Sequence, residues 1–329
     1  MKIAIVILNW NGKALLERFL PSVVANSNEA DIYLADNAST DDSVAYVKNA
    51  FPEVKIIVNK ENGGYAKGYN DALKHVDADL FCLLNNDVEV TENWLDPIIN
   101  QFNQDQNTAI VQPKLLDLNQ KDHFEYAGAA GGFIDKFGYP YCRGRIFNAI
   151  EKDEGQYNDT CSIFWASGAC LFIRSDFFKE LKGFDEAFFA HFEEIDLCWR
   201  IKNLGKEVTY VGASTIYHLG GGTLKNTNPK KTYLNFRNSL FALTKNSAGM
   251  LLPKILLRLL LDGVAGIQFI LLMKPQHTVA IIKAHLNYYY HLSRMLEKRD
   301  QPSKIEKYWQ TKSIVWSHFV NRKKKFNRL

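Results

Sequence analysis

The first half of the chain alternates short apolar runs with longer amphipathic stretches. IAIVIL (3–8), DIYLAD (31–36), KIIVN (55–59), LFCLL (80–84) and TAIVQP (108–113) read as strands. Between them KALLERFLPSVVAN (13–26), TDDSVAYVKNAF (40–51), YAKGYNDALKHV (65–76) and NWLDPIINQFNQ (93–104) read as helices. The second helix is expected to open on Thr40 and the acidic residues behind it, as a helix N-terminus prefers. Such alternation predicts a mostly parallel, doubly wound α/β sheet with helices on both faces. The middle of the chain is less regular. EYAGAAGGFIDKFGYPYCRGR (125–145) is rich in Gly and Tyr, and SIFWASGACLFIR (162–174) reads as a buried strand pair broken at Ser167-Gly168. FEEIDLCWRIKNLG (192–205) is a helix closed by Gly205, and EVTYVGASTIYH (207–218) is a strand running into His218 and Gly220-Gly221-Gly222.

Charge divides the chain in two. Residues 1–224 carry 20 Lys+Arg against 32 Asp+Glu, whereas residues 225–329 carry 20 against 4. The pattern therefore separates an acidic body, residues 1–225, from a basic helical region, 226–329; within the body, 1–113 and 114–225 form two halves. In the basic region LLPKILLRLLLDGVAGIQFILLM (251–273) is very apolar, but Lys254, Arg258 and Asp262 interrupt it. A spanning helix wants about 20 mainly apolar residues, so both a span and an in-plane helix stay open for it. HTVAIIKAHLNYYYHLSRMLEK (277–298) suits an interface, and NRKKKFNRL ends the chain in basic charge. Membrane association of this region is the expectation, with a solvated tail or a homodimer arm as its rival. The five cysteines show no CxxC spacing and no even framework, which predicts reduced thiols in the cytoplasm and no structural zinc. The opening MKIAIVILNWNG reads as a first strand rather than a secretory leader, because its apolar core is only six residues and no cleavage site follows.

Polar residues gather where the strands end. Asn9 and Asn11 follow the first strand, Asp36 ends the second, Asn62, Gly63 and Gly64 follow the third, and Asn85, Asn86 and Asp87 follow the fourth. Open α/β sheets bind ligands beyond the carboxyl ends of their strands, so this rim is a candidate site. Asp36 can accept from a base or a ribose hydroxyl, or cap the next helix. Gly63, Gly64 and Gly68 surround a helix start where backbone can approach a phosphate, yet the run fits neither GxGxxG nor a P-loop. Asp87 is a candidate ligand for Mg²⁺ or Mn²⁺, which hard oxygen donors suit, with His218 a possible second ligand. Asp196 and Arg200, four apart on a helix, are expected to pair structurally. Glu193 and Glu194 stand at the start of that helix as candidates for a general base.

Seven segments in order, VILNWNG, LADNASTDDS, ENGGYAKGYN, LLNNDVEV, SGACLFIR, FEEIDLCWR and YHLGGGT, resemble family 2 glycosyltransferases with the GT-A nucleotide-diphospho-sugar transferase fold. KTYLNFRNSL (231–240) is similar to the rhamnosyltransferase-like branch. The resemblance implies an inverting transfer of a sugar from a dTDP- or UDP-sugar, dTDP-rhamnose among them. The acceptor would be a glycan or lipid-linked saccharide, in cell-surface polysaccharide synthesis at the inner face of the cytoplasmic membrane. It implies donor contacts from Asn9, Asn11, Asp36, Asn62, Gly63, Gly64, Gly68, Asn70 and Asn86. Acceptor contacts fall to Trp165, Ser167, Gly168 and Ala169. Asp87 matches the last Asp of the family's Asp-X-Asp metal motif, Asn85 standing where the first is often found, and His218 would meet the diphosphate or the metal. Glu194 matches the second acidic residue of the family's Glu-Asp motif, the base, with Glu193 left as its alternative. No nucleic-acid partner is expected. A nucleotidyltransferase lacks its phosphate loop here, since NWNGK follows strand one. A non-catalytic sugar-nucleotide binder would not need both Asp87 and the acidic pair.

Overall fold

The computed structural model describes residues 1–220, 228–299 and 305–329. Gly221 and Gly222, marked above as part of the glycine run after His218, lie outside the described residues. The chain opens as β1 (Ile3–Asn9), α1 (Lys13–Ala25), β2 (Ala30–Asp36), α2 (Ser43–Ala50), β3 (Lys55–Val58), α3 (Gly64–Leu73) and β4 (Leu80–Asn85). β1 pairs in parallel with β2 and β4, and β2 with β3, so four carboxyl ends line up on one edge. Ile5, Leu34, Cys82 and Leu84 are among the residues buried in the core on the α1 side, whereas Val6, Ala35, Phe81 and Leu83 face the core shared with α3. Burial on both faces explains why these strands read as continuous apolar runs. The second helix begins at Ser43 rather than Thr40. The side-chain carbonyl of Asn11 accepts from the Thr40 backbone N–H at 2.7 Å and holds that residue in the loop.

After β5 (Val88–Val90) and α4 (Leu95–Gln104), β6 runs from Thr108 to Asp117, past the expected stop at Pro113. Beside that proline, β13 (Glu207–His218) shifts register between Val211 and Thr215, and the bulge lets pairing resume at Lys114. β7 (Gly132–Ile134), β8 (Pro140–Cys142), β9 (Arg145–Ile146) and β10 (Ala149–Ile150) form a small separate antiparallel sheet. β11 (Thr160–Ile163) and β12 (Cys170–Arg174) are not partners of each other, contrary to the expected strand pair. β12 inserts antiparallel between β4 and β6, while β11 pairs β13 at the far edge. The sheet is therefore mixed and mostly parallel: β1 to β4 pair in parallel, as do β6 and β13, while β5, β11 and β12 run antiparallel to their neighbours.

α5 (Ser175–Glu180) and α6 (Glu193–Asn203) lead into β13, and the rest is helical: α7 (Pro229–Asn246), α8 (Leu251–Leu271), α9 (Pro275–Tyr290), α10 (Leu292–Glu297) and α11 (Ile314–Phe319). The helix expected over 277–298 is two, divided at His291. This region is docked on the body, not hung from it. Leu240, Phe241, Ile255, Tyr288 and Tyr308 share one core with Phe164 and Trp199. All five cysteines are free thiols.

Candidate active site

The aligned strand ends bind to one another through side chains. The Asn9 amide donates to Asp36 Oδ1 at 3.1 Å and to Ser39 Oγ at 3.2 Å, and the Asn86 amide donates to Asn9 Oδ1 at 2.9 Å. Asp36 also accepts from the Ser39 backbone and hydroxyl at 2.8 and 2.6 Å. At 1% exposure it is the buried hub of this loop, so its carboxylate organises the rim from beneath. Asn62 Oδ1 accepts from the Gly64 N–H at 3.0 Å and from Asn37 at 3.3 Å. Asn37 in turn accepts from Asn59 at 2.9 Å. Gly68 is required here, because a Cβ would sit 2.7 Å from the Asn37 amide. Asn70 departs from the expected donor edge. Its amide accepts from the Phe184 N–H and donates to the Phe184 carbonyl, both at 2.9 Å, which spends it on the 183–186 turn.

α3 ties this rim to the acidic pair. Gly63 caps the helix and Gly64 opens it at φ +76°, where a Cβ would meet the Phe189 carbonyl at 2.7 Å. The Tyr65 N–H donates to that same carbonyl at 3.1 Å, and the Tyr65 hydroxyl donates to the Gly168 carbonyl at 2.7 Å. The Ala169 carbonyl accepts from the Asn85 N–H at 2.9 Å, which closes the ring back to β4. Ser167 is buried and its hydroxyl accepts from the Ala169 N–H at 3.2 Å. Trp165, expected to face the acceptor, does not. Its ring packs under Gly132 in the core, and its indole N–H donates to the Phe133 carbonyl at 2.9 Å.

The loop before α6 is unusual. Phe189, His191 and Phe192 have φ of 64°, 67° and 73°, a region that residues other than glycine seldom adopt. Asn238 on α7 holds them there. Its amide lies within hydrogen-bond reach of the carbonyls of Phe188 (3.0 Å), Ala190 (2.9 Å) and His191 (2.6 Å). Arg237 adds bonds to the Ala187 and Phe188 carbonyls at 3.2 and 3.1 Å. This clamp delivers Glu193 and Glu194 to the helix N-terminus. Glu193 is buried, and burial together with the charge of Glu194 pushes its carboxyl well up. Glu194 is half-buried. Burial raises it too, to about 7, while backbone N–H groups of the helix start hold it from going higher. Each keeps one carboxylate oxygen without a hydrogen-bond partner. One turn further, Asp196 pairs with Arg200 at 2.8 Å, as expected, and with Lys245 of α7 at 2.9 Å.

Asp87 and His218 meet at the other side of the rim. His218 Nε2 lies 3.1 Å from Asp87 Oδ1, and its Nδ1 lies 3.3 Å from Glu125 Oε1. Burial would lower the imidazole pKa, but Glu125 and Asp87 outweigh it and hold it at about 10. Two buried carboxylates facing one imidazole make a donor set of the right chemistry for Mg²⁺ or Mn²⁺. As it stands, the imidazole is turned between the acids as their counter-charge, and no group of three or more such side chains among the described residues is arranged to hold a metal. Glu125 had no signal in the sequence. It sits in an irregular stretch, and only the pairing of β13 with β5 and β6 brings His218 to it. Asn59, Tyr65 and Asn238 were likewise missed as site builders, since each acts across the fold.

The chain matches the family model for Glycosyl transferase family 2 over residues 4–182. It is similar to the N-acetylglucosaminyl-diphospho-decaprenol L-rhamnosyltransferase of Mycobacterium tuberculosis, at 25% identity over 233 residues that cover 65% of this chain and 75% of the relative. A Pyrobaculum calidifontis mannosyltransferase solved with GDP-Man and Mn²⁺ superposes at a TM-score of 0.54 and 13% identity, over 88% of this chain and 87% of that one. A GalNAc transferase solved with UDP, GalNAc and Mn²⁺ superposes at a TM-score of 0.58 and 17% identity, over 75% of this chain and 48% of that one. The two structures speak for the GT-A fold.

Proposed function

The chain belongs to glycosyl transferase family 2 and is a sugar-transferring enzyme of glycan synthesis, and on that premise we propose that it performs an inverting transfer with Glu194 as the base. The observation that carries this assignment between the two acids is their unequal burial. Glu193 is enclosed and its carboxyl is pushed well up, whereas Glu194 is only partly buried with a pKa of about 7; each keeps one buried oxygen without a hydrogen-bond partner. A base poised near neutrality is the most effective.

In this reading Glu194 takes the proton of an acceptor hydroxyl as that oxygen bonds to the anomeric carbon. The bond from that carbon to the nucleotide diphosphate breaks, and its electron pair leaves with the diphosphate. The Asn9–Asp36–Asn86 and Asn37–Asn59–Asn62 networks keep the donor edge rigid, so little reorganisation is needed on binding. Asp87 would hold Mg²⁺ or Mn²⁺, with His218 and Glu125 alongside, and the ion when bound would supply positive charge against the leaving diphosphate. The donor is a dTDP- or UDP-sugar, dTDP-rhamnose first among them, and the acceptor a lipid-linked saccharide. The name of the mycobacterial relative supports rhamnose as the sugar and a lipid-linked saccharide as the acceptor. A panel of dTDP-, UDP- and GDP-sugars, with and without Mn²⁺, tests this reading in wild type and Asp87→Ala. Metal-dependent hydrolysis of one donor, lost in the variant, is expected. Hydrolysis of none would overturn the assignment.

A further inference from the structure

We infer that the outward face of the α8–α9 hairpin is a membrane-docking surface that lies in the plane of an anionic bilayer. The polarity of α8 is inverted relative to an ordinary surface helix. Its buried face carries the charges. Arg258 Nε donates to Asp262 Oδ1 at 2.8 Å, its other nitrogens reach the Phe137 carbonyl at 2.8 Å and Ser239 Oγ at 2.6 Å, and Tyr139 donates to Asp262 at 2.6 Å. Its outer face carries the apolar residues. Leu256, Leu260, Val264, Ile267 and Leu271 recur at spacings of four, four, three and four, and every one is exposed, Leu260 by 69% and Ile267 by 61%. Ile282 and Leu286 continue the surface on α9. Together these residues expose roughly 800 Å², mostly apolar, against about 300–600 Å² for the largest apolar patch on an ordinary monomer. Folding left them out because the inner face is already filled by a satisfied ion pair.

The geometry favours a helix lying in the interface over one that crosses it. Among the described residues no helix is long and apolar enough to cross a membrane. α8 is also pinned along its length by Arg258 and Asp262 to Tyr139 and Ser239, so one side stays on protein. An in-plane helix buries its apolar face at the boundary of headgroups and acyl chains. Charge selects the bilayer over a second copy of the chain. Exposed Lys274 and Lys283 flank the surface, and residues 225–329 carry 20 basic against 4 acidic residues. A twofold contact through this face would press like charge on like charge, whereas anionic headgroups complement it.

Flotation of the full chain with phosphatidylcholine/phosphatidylglycerol vesicles tests the surface, with Leu260→Asp/Ile267→Asp as the paired variant and sedimentation velocity run on both. Both sites are exposed, so the melting temperature should hold, and donor hydrolysis in free solution should be unchanged. Failure to dock is thereby read separately from failure of the assigned reaction. Wild type should float and keep a large part of its binding at high salt, and the variant's bound fraction should fall by about tenfold or more. A wild type that stays at the bottom of the gradient overturns the proposal, as does a variant that floats equally well. So does a wild-type dimer that the paired substitution converts to monomer without any vesicle binding.

Discussion

Two carboxyls, Glu193 and Glu194, share a helix end but not an environment. Glu194 has its pKa raised from the usual glutamate value to about 7, so the folded state binds a proton that the unfolded state has lost. The sign follows from linkage: stability is highest below the unfolded value and declines as pH rises toward about 7. Glu194→Gln should therefore melt a few degrees above wild type at pH 8 and level with it at pH 4, read by thermal denaturation. Trp165→Phe should behave in the opposite way to a site variant. Its indole bonds the Phe133 carbonyl in the core, and losing that bond costs about 0.5–1.5 kcal/mol. The melting temperature should drop while the acceptor KM stays put. Residue identity alone separates these two poorly. The Asn-Asn-Asp run announces itself as polar groups where a core strand stops, and the acidic pair as carboxylates at a helix start, but whether Trp165 points to acceptor or core is decided by Gly132, thirty-odd positions away.

At the scale of elements, the site is three loops locked by two helices. Gly64 of α3 leaves room for the Phe189 carbonyl, so Gly64→Ala meets both a clash and a strained φ. It should cost about 1 kcal/mol or more and reduce kcat, checked by melting and steady-state kinetics. Asn238 holds the three strained residues before α6. Asn238→Ala takes this donor from the Ala190 and His191 carbonyls, while that of Phe188 keeps Arg237; it should cost about 1–3 kcal/mol and lower kcat at least about tenfold with donor KM nearly unchanged. Asn238→Asp keeps the shape but replaces the donor with an acceptor, and should be no better. Among elements, the βα alternation of the first hundred residues was legible, because buried parallel strands leave apolar runs and their helices leave a 3.6-residue period. The second half was less so. Pro113 looked like a strand end, and only the bulge in β13 lets β6 pass it. β11 and β12 are adjacent in the chain but separated in the sheet by two strands, an insertion that no local pattern encodes.

At the scale of the molecule, charge and apolarity are each placed against habit. Buried charge links the C-terminal helices to the body, through Arg258 and Asp262 of α8, which bond the Phe137 carbonyl and the Tyr139 hydroxyl, and through Lys245 of α7 with Asp185 and Asp196. The boundary drawn between residues 225 and 226 marks a change in composition, while the core runs across it. The outcome is that α6, which bears the acidic pair, is braced by α7, which in turn carries the hairpin whose apolar face looks outward. The central claim is that Glu194 is the base of a sugar transfer. The measurement that tests it most directly is the pH dependence of single-turnover transfer at saturating donor in wild type and Glu194→Gln, with donor affinity measured by calorimetry. The account predicts that the wild-type rate rises with pH through about 7, and that the variant binds donor as wild type does, loses about 10²–10⁴ in rate and shows no such rise. A variant that turns over within a few-fold of wild type, with the same dependence on pH, would contradict it.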